Sequence, residues 1–144
     1  MSDLQEEFGR ALGEVSRTWR GKVNERLKPL GLSQAKWTAL IGLARHPGGM
    51  VQSELAQRLG IEGPTLVRLL DRLEADGLVE RRSSAEDRRC KLVVLSGNAR
   101  PLMKKVGKTV QQLRSEILSG MSEKELAGGL KLMRMLQSRL DASS

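Results

Sequence analysis

Thr65, Arg68 and Arg72 stand three and four residues apart, a spacing that lines them along one side of a helix. A planar guanidinium donates two parallel hydrogen bonds to the N7 and O6 acceptors of guanine, and a small residue such as Thr65 or its neighbour Pro64 packs on a thymine methyl. Further along, Asp87-Arg88-Arg89 sets two adjacent cations on a polar stretch, Ser83–Arg89. On a protruding loop one of them can enter the minor groove of a duplex, where narrow A·T segments concentrate negative potential. Asp87 can hold Arg89 extended through a charge-assisted bond while Arg88 meets phosphate, and Arg82 joins the same set. The chemistry is non-covalent recognition of a polyanion. A blander reading stays open: a solvated helix side with ordinary charges, and a surface loop whose ion pair contributes little.

The distribution of charge favours the first reading. The 144 residues carry a net charge of +8, and between Arg81 and Arg114 ten basic residues face two acidic ones, so the rest of the chain is balanced. An excess confined to one quarter of a chain marks a binding face for a polyanion. Aromatic residues make up 2% and Tyr is absent, which disfavours the stacking platforms that grip single strands. One Cys and one His exclude an intramolecular disulfide, a Cys-based zinc site and an imidazole cluster, so no metal or other cofactor is expected. Glu123 and Glu125 are two apart on a helix and face different ways, so no enzyme is expected. No apolar run reaches a membrane span and the start MSDLQEEF is acidic, which points to the cytoplasm.

Several elements must position these residues. Leu4, Phe8, Leu12, Val15, Trp19, Val23, Leu27 and Leu30 form one stripe on a long helix ending near Pro29 and Gly31. Ser33 caps a second helix that stops at His46-Pro47-Gly48-Gly49, a third runs from Gln52 to Leu59, and Gly60 breaks it. A fourth begins around Glu62, admits Pro64 in its first turn and ends at Gly77. The periodicity then changes to two short β-favouring segments, Leu78–Arg82 and Cys90–Leu95, around the polar loop. Two helices follow, with stripes at Leu102, Val106, Val110, Leu113, Ile117 and at Leu126, Leu130, Met133, Leu136, Leu140, the second opened by Ser122 with Glu125 in a capping box.

The predicted fold is therefore mainly α with a small β-hairpin wing: a winged helix-turn-helix over 33–96, with N- and C-terminal dimerisation helices at 1–32 and 97–144. In such a unit the second helix of the turn enters the major groove. The terminal helices carry stripes that little of the same chain is left to cover, which a second copy in a symmetric homodimer would bury.

SELAQRLGI, LVRLLDRLEADG and GLVERR, followed by DRRCKLVVLS, resemble the MarR family of bacterial transcription regulators, and RTWRGKVNERLKPLGLSQAKW looks like its SlyA branch. The resemblance covers nearly the whole chain and implies a single domain of that type. It implies a homodimer joined through its terminal helices, with two winged helices gripping a pseudo-palindrome of double-stranded DNA. The base-reading role then falls on Pro64, Thr65 and Arg68, and the minor-groove role on Arg89 with Asp87 as partner. Val51 departs from the family's usual Ser or Thr before the third helix and leaves Glu54 without a hydroxyl partner. Relatives released by small aromatic acids imply a crevice that Arg17, Arg20, Trp37, Ile41 and Arg68 could line for an aromatic carboxylate, although Trp37 and Ile41 equally fit a core pair. Two other readings stand beside the regulator: a ligand- or redox-sensing module (Cys90 being its thiol) with DNA binding secondary, and an architectural protein that coats DNA without sequence preference.

Overall fold

The computed structural model describes residues 2–83, 86 and 89–143, and the chain forms two compact units divided between Gln111 and Gln112. The first unit begins with α1 (Ser2–Leu27), which tightens into a 3₁₀ turn at Lys28–Leu30 and stops at Gly31, whose φ of 79° lies in the left-handed region. Then come α2 (Gln34–Ala44), β1 (Met50–Val51), α3 (Gln52–Leu59), α4 (Gly63–Ala75), β2 (Val79–Ser83) and β3 (Lys91–Leu95). A 3₁₀ turn at Gly97–Ala99 leads into α5 (Arg100–Leu118), whose last residues lie in the second unit with α6 (Glu123–Ala142). Mostly helical with a small antiparallel sheet, the architecture is the one the sequence predicts. Among the described residues no helix is long and apolar enough to cross a membrane.

The apolar stripes of the first unit converge on one core. Leu27, Leu40, Leu43, Leu55, Leu66, Leu70 and Leu73 are fully buried together with Val79 and Val93 of the hairpin, so α1, α2, α3, α4 and the sheet share a single interior. The ends of these helices follow their sequence signals. Ser33 Oγ accepts from Lys36 N–H at the start of α2. At the end of α4, Gly77 (φ 74°) turns left-handed, its N–H donates to Glu74 O, and Leu78 N–H donates to Leu73 O, both at 2.9 Å. That pair of bonds is a Schellman closure. It ties Leu78 to the helix, which is why β2 begins at Val79 rather than at the predicted Leu78.

The sheet has three strands, not the two expected from sequence, in the order β1-β3-β2. Met50 and Val51 pair with Val93 and Leu92, while β2 pairs with β3 from Val79 opposite Leu95 to Ser83 opposite Lys91. A two-residue strand is too short to show alternation, and Val51 doubles as the N-cap position of α3, where it supplies no side-chain bond. Gly49 makes this third strand feasible. Its φ is 96°, and a Cβ there would sit 2.6 Å from Val94 Cγ1 and 3.1 Å from Val93 O.

In the second unit α6 has no buried residue, and its N-terminus is closed by the full capping box of Ser122 and Glu125.

Candidate nucleic-acid interface

The buried leucines of α4 turn its opposite side outward, and Pro64, Thr65, Arg68 and Arg72 are all exposed there. Arg68 Nη2 donates to Thr65 Oγ1 at 3.5 Å, so two of the three predicted base readers share one patch one turn apart. Val67, 37% exposed, lies on the adjoining flank of α4, one turn from Asp71. It lies off the Leu66-Leu70-Leu73 stripe, and that displacement was the available signal for an apolar group on the outer face. The N-cap positions of both α3 (Val51) and α4 (Glu62) make no side-chain cap bond, in contrast to α2 and α6. Helix N-termini whose N–H groups are left to other partners suit phosphate oxygens.

The hairpin that follows carries its charges in distinct ways. Arg82 is exposed and paired with Glu80 two residues back on the same strand. Arg89 is exposed as well. Asp87 and Arg88, with the expected bond from Arg89 to the Asp87 carboxylate, lie outside the described residues. Arg81, which sequence reasoning counted only as part of the basic excess, turns back instead onto α4. Its Nη2 donates to Asp71 Oδ1 and to Glu74 Oε1, both at 2.7 Å. Those hydrogen bonds, that to Glu74 the stronger, hold the Arg81 guanidinium above its usual range, and the Arg81 side chain holds the Glu74 carboxyl below its own.

The residues assigned to a ligand crevice are only partly brought together. Arg20 and Trp37 line one open groove of about 590 Å³ with Gln34, Thr38, Arg58 and Leu69. Trp37 and Ile41 line an adjoining groove of about 440 Å³ with Arg45, Met50 and Leu55. Thr38, Arg58 and Leu59 border both grooves. Sequence reasoning missed Arg58, whose place on α3 gave no hint that it faces α2; it pairs with Glu54 at 3.2 Å. Arg17 and Arg68 line neither groove, and the Arg17 guanidinium instead lies back over Gly13 of its own helix.

A helix pair joined at a left-handed Gly60, with a hairpin after its second member, is a winged helix-turn-helix. A MarR-family model matches residues 30–89. The crystal structure of transcriptional regulator PA3341 is 44% identical, with a TM-score of 0.86 over 94% of this chain and 98% of that one. The chain belongs to the MarR family of transcriptional regulators. It is also similar to a mutant of MarR from E. coli complexed with operator DNA, at 27% identity and TM-score 0.77 over 90% and 93% of the two chains. CouR from Rhodococcus jostii RHA1, bound to p-coumaroyl-CoA, is 27% identical with TM-score 0.78 over 94% and 92%.

Proposed function

We propose that this chain is a homodimeric regulator that reads double-stranded DNA at a pseudo-palindromic operator, with residues 33–96 as the reading unit and 1–32 and 97–144 as the dimerisation helices. The observation that carries the proposal is the exposed row of Pro64, Thr65, Arg68 and Arg72 on α4, next to a hairpin whose connection bears Arg89. Arg68 and Thr65 meet base edges, Arg72, Arg82 and Arg88 meet phosphate, and Arg89, oriented by Asp87, enters the minor groove. Dimerisation is supported by apolar residues left outside in the single chain: Leu4, Phe8 and Val15 on α1, and separately Leu130, Met133 and Leu140 on α6. An operator-bound relative adds to the case. The segment RTWRGKVNERLKPLGLSQAKW supports membership of the SlyA-like branch, and such a regulator works in the bacterial cytoplasm by occupying its site, without chemistry.

The test is a pair of substitutions, Arg89→Ala and Arg68→Ala, titrated against fragments that the protein itself retrieves from a genomic library. Loss of specific binding with an unchanged melting temperature supports the reading. Unchanged affinity in both variants overturns it.

A second reading rests on the groove at Arg20, Trp37 and Arg58: an aromatic wall beside guanidinium donors suits a small aromatic carboxylate, which on binding would release DNA. Salicylate should raise the melting temperature of the wild type and leave Trp37→Ala unmoved; no shift in the wild type removes the ligand role.

A further inference from the structure

Arg81 lies in the middle of β2, opposite Val93, and its side chain leaves the sheet to reach α4. One guanidinium nitrogen donates at 2.7 Å to both Asp71 and Glu74, and the Arg81 backbone N–H donates to the other Glu74 oxygen at 3.3 Å. The guanidinium side is 22% exposed, against 57% and 43% for the two carboxylates. This is a partly shielded clamp, not a pair of mobile surface charges, and charge-assisted bonds of this kind are stronger than neutral ones. Asp71 and Glu74 stand one turn apart on the flank of α4 beside the hairpin, and helix geometry places them off the row of Thr65, Arg68 and Arg72. The Schellman turn at Gly77 fixes where β2 leaves the helix. The buried Val79 and Val93 and the pairing of β3 with β1 seat the base of the hairpin. Three residues past Leu78, about 10 Å along an extended strand, Arg81 adds a polar attachment to the flank of α4.

We propose that Arg81 is a positioning residue for DNA recognition: by clamping β2 to Asp71 and Glu74 it fixes the hairpin relative to α4, so that the base-reading row and the hairpin loop engage one duplex together. Its single charge also offsets one of the two negative charges that Asp71 and Glu74 set on the reading helix near phosphate. The role rests on the proposed DNA-binding function of α4 and the hairpin.

The experiment is a double-mutant cycle between Arg81→Met and Arg89→Ala, with affinities measured for a fragment selected by the wild type and for unrelated duplex. Arg81→Met should weaken specific binding about tenfold and non-specific binding far less, and on the Arg89→Ala background its effect should shrink well below that, because the minor-groove contact that the clamp positions is gone. Arg81→Lys should recover part of the loss. If Arg81→Met does not fold, Asp71→Asn with Glu74→Gln removes the partners and carries the same comparison. Wild-type specific affinity in the clamp variants, or the same full penalty with and without Arg89, overturns the proposal. A wild type that binds every duplex alike removes the DNA-reading account itself, and the role with it.

Discussion

Trp37 on α2 donates its indole Nε1–H to Asn24 Oδ1 on α1 at 2.7 Å, and the Asn24 amide donates in turn to Gln34 Oε1 at 3.3 Å. The indole is therefore held by a different helix from the one that carries it. Trp37 packs with the interior on one side and forms the wall shared by the two grooves on the other, so the polar bond at its edge determines how that wall stands.

Asn24→Leu should leave the indole N–H of a half-buried side chain without a protein partner. We expect a loss of about 1–3 kcal/mol in denaturant unfolding with DNA affinity retained at a temperature where both proteins are folded. Equal stability of variant and wild type would show that water replaces Asn24 at no cost.

Gly49→Ala meets two obstacles at once, a positive φ and a clash with Val94 and the Val93 carbonyl. Strain of each kind costs about 1–3 kcal/mol, so the melting temperature should fall by several degrees or more. The alanine variant should also show faster amide exchange in β1, since only that strand depends on the close approach.

Acid should loosen the clamp. Folded Glu74 binds its proton more weakly than the ordinary carboxylate value of 4.5, so the stability it contributes is fully present above that value and is lost as pH falls through the lower folded one. Glu74→Gln should therefore make unfolding free energy less dependent on pH below about 4.5, and should change little near neutrality beyond a constant offset. A variant whose acid limb is as steep as that of the wild type would show that Glu74 is not part of it.

Much of this was legible in the sequence because local signals and burial agree. Ser33, Gly60, Gly77 and Ser122 punctuate the helices, and the leucine stripes of α3 and α4 fix which side of each faces the core. Once Leu66, Leu70 and Leu73 are inside, Thr65, Arg68 and Arg72 are outside by geometry alone. What escaped depends on contacts between elements distant in sequence. β1 exists only because Gly49 lets Met50 approach Val93, and no periodicity records it. Arg81 looks like one more cation until the fold sets Asp71 and Glu74 against it. Arg17 and Arg68 do not border the two grooves at Trp37, and a family resemblance carries residue roles, not side-chain directions.

Leu130→Glu puts a charge on the exposed apolar side of α6, where Leu130 is 49% exposed in the single chain. Burying that charge in a subunit interface is unfavourable, so sedimentation should show monomers and specific DNA binding should fall with it. A monomeric Leu130→Glu protein that still binds the selected fragment at wild-type affinity would contradict the dimeric arrangement.

Arg68→Ala separates base reading from phosphate contact. A bidentate guanine contact predicts a loss of about 1–3 kcal/mol and a relaxed preference at one base position in each half-site. A uniform loss across all sequences would assign Arg68 to phosphate.

The most direct measurement is selection of genomic fragments by the purified protein, followed by titration of the enriched sequence at several salt concentrations with non-specific competitor present. The account predicts a palindrome whose half-sites are about one helical turn apart, bound far more tightly than competitor at every salt concentration. No enriched sequence, with binding that simply collapses as salt rises, would contradict it and leave a charge-driven coat on DNA.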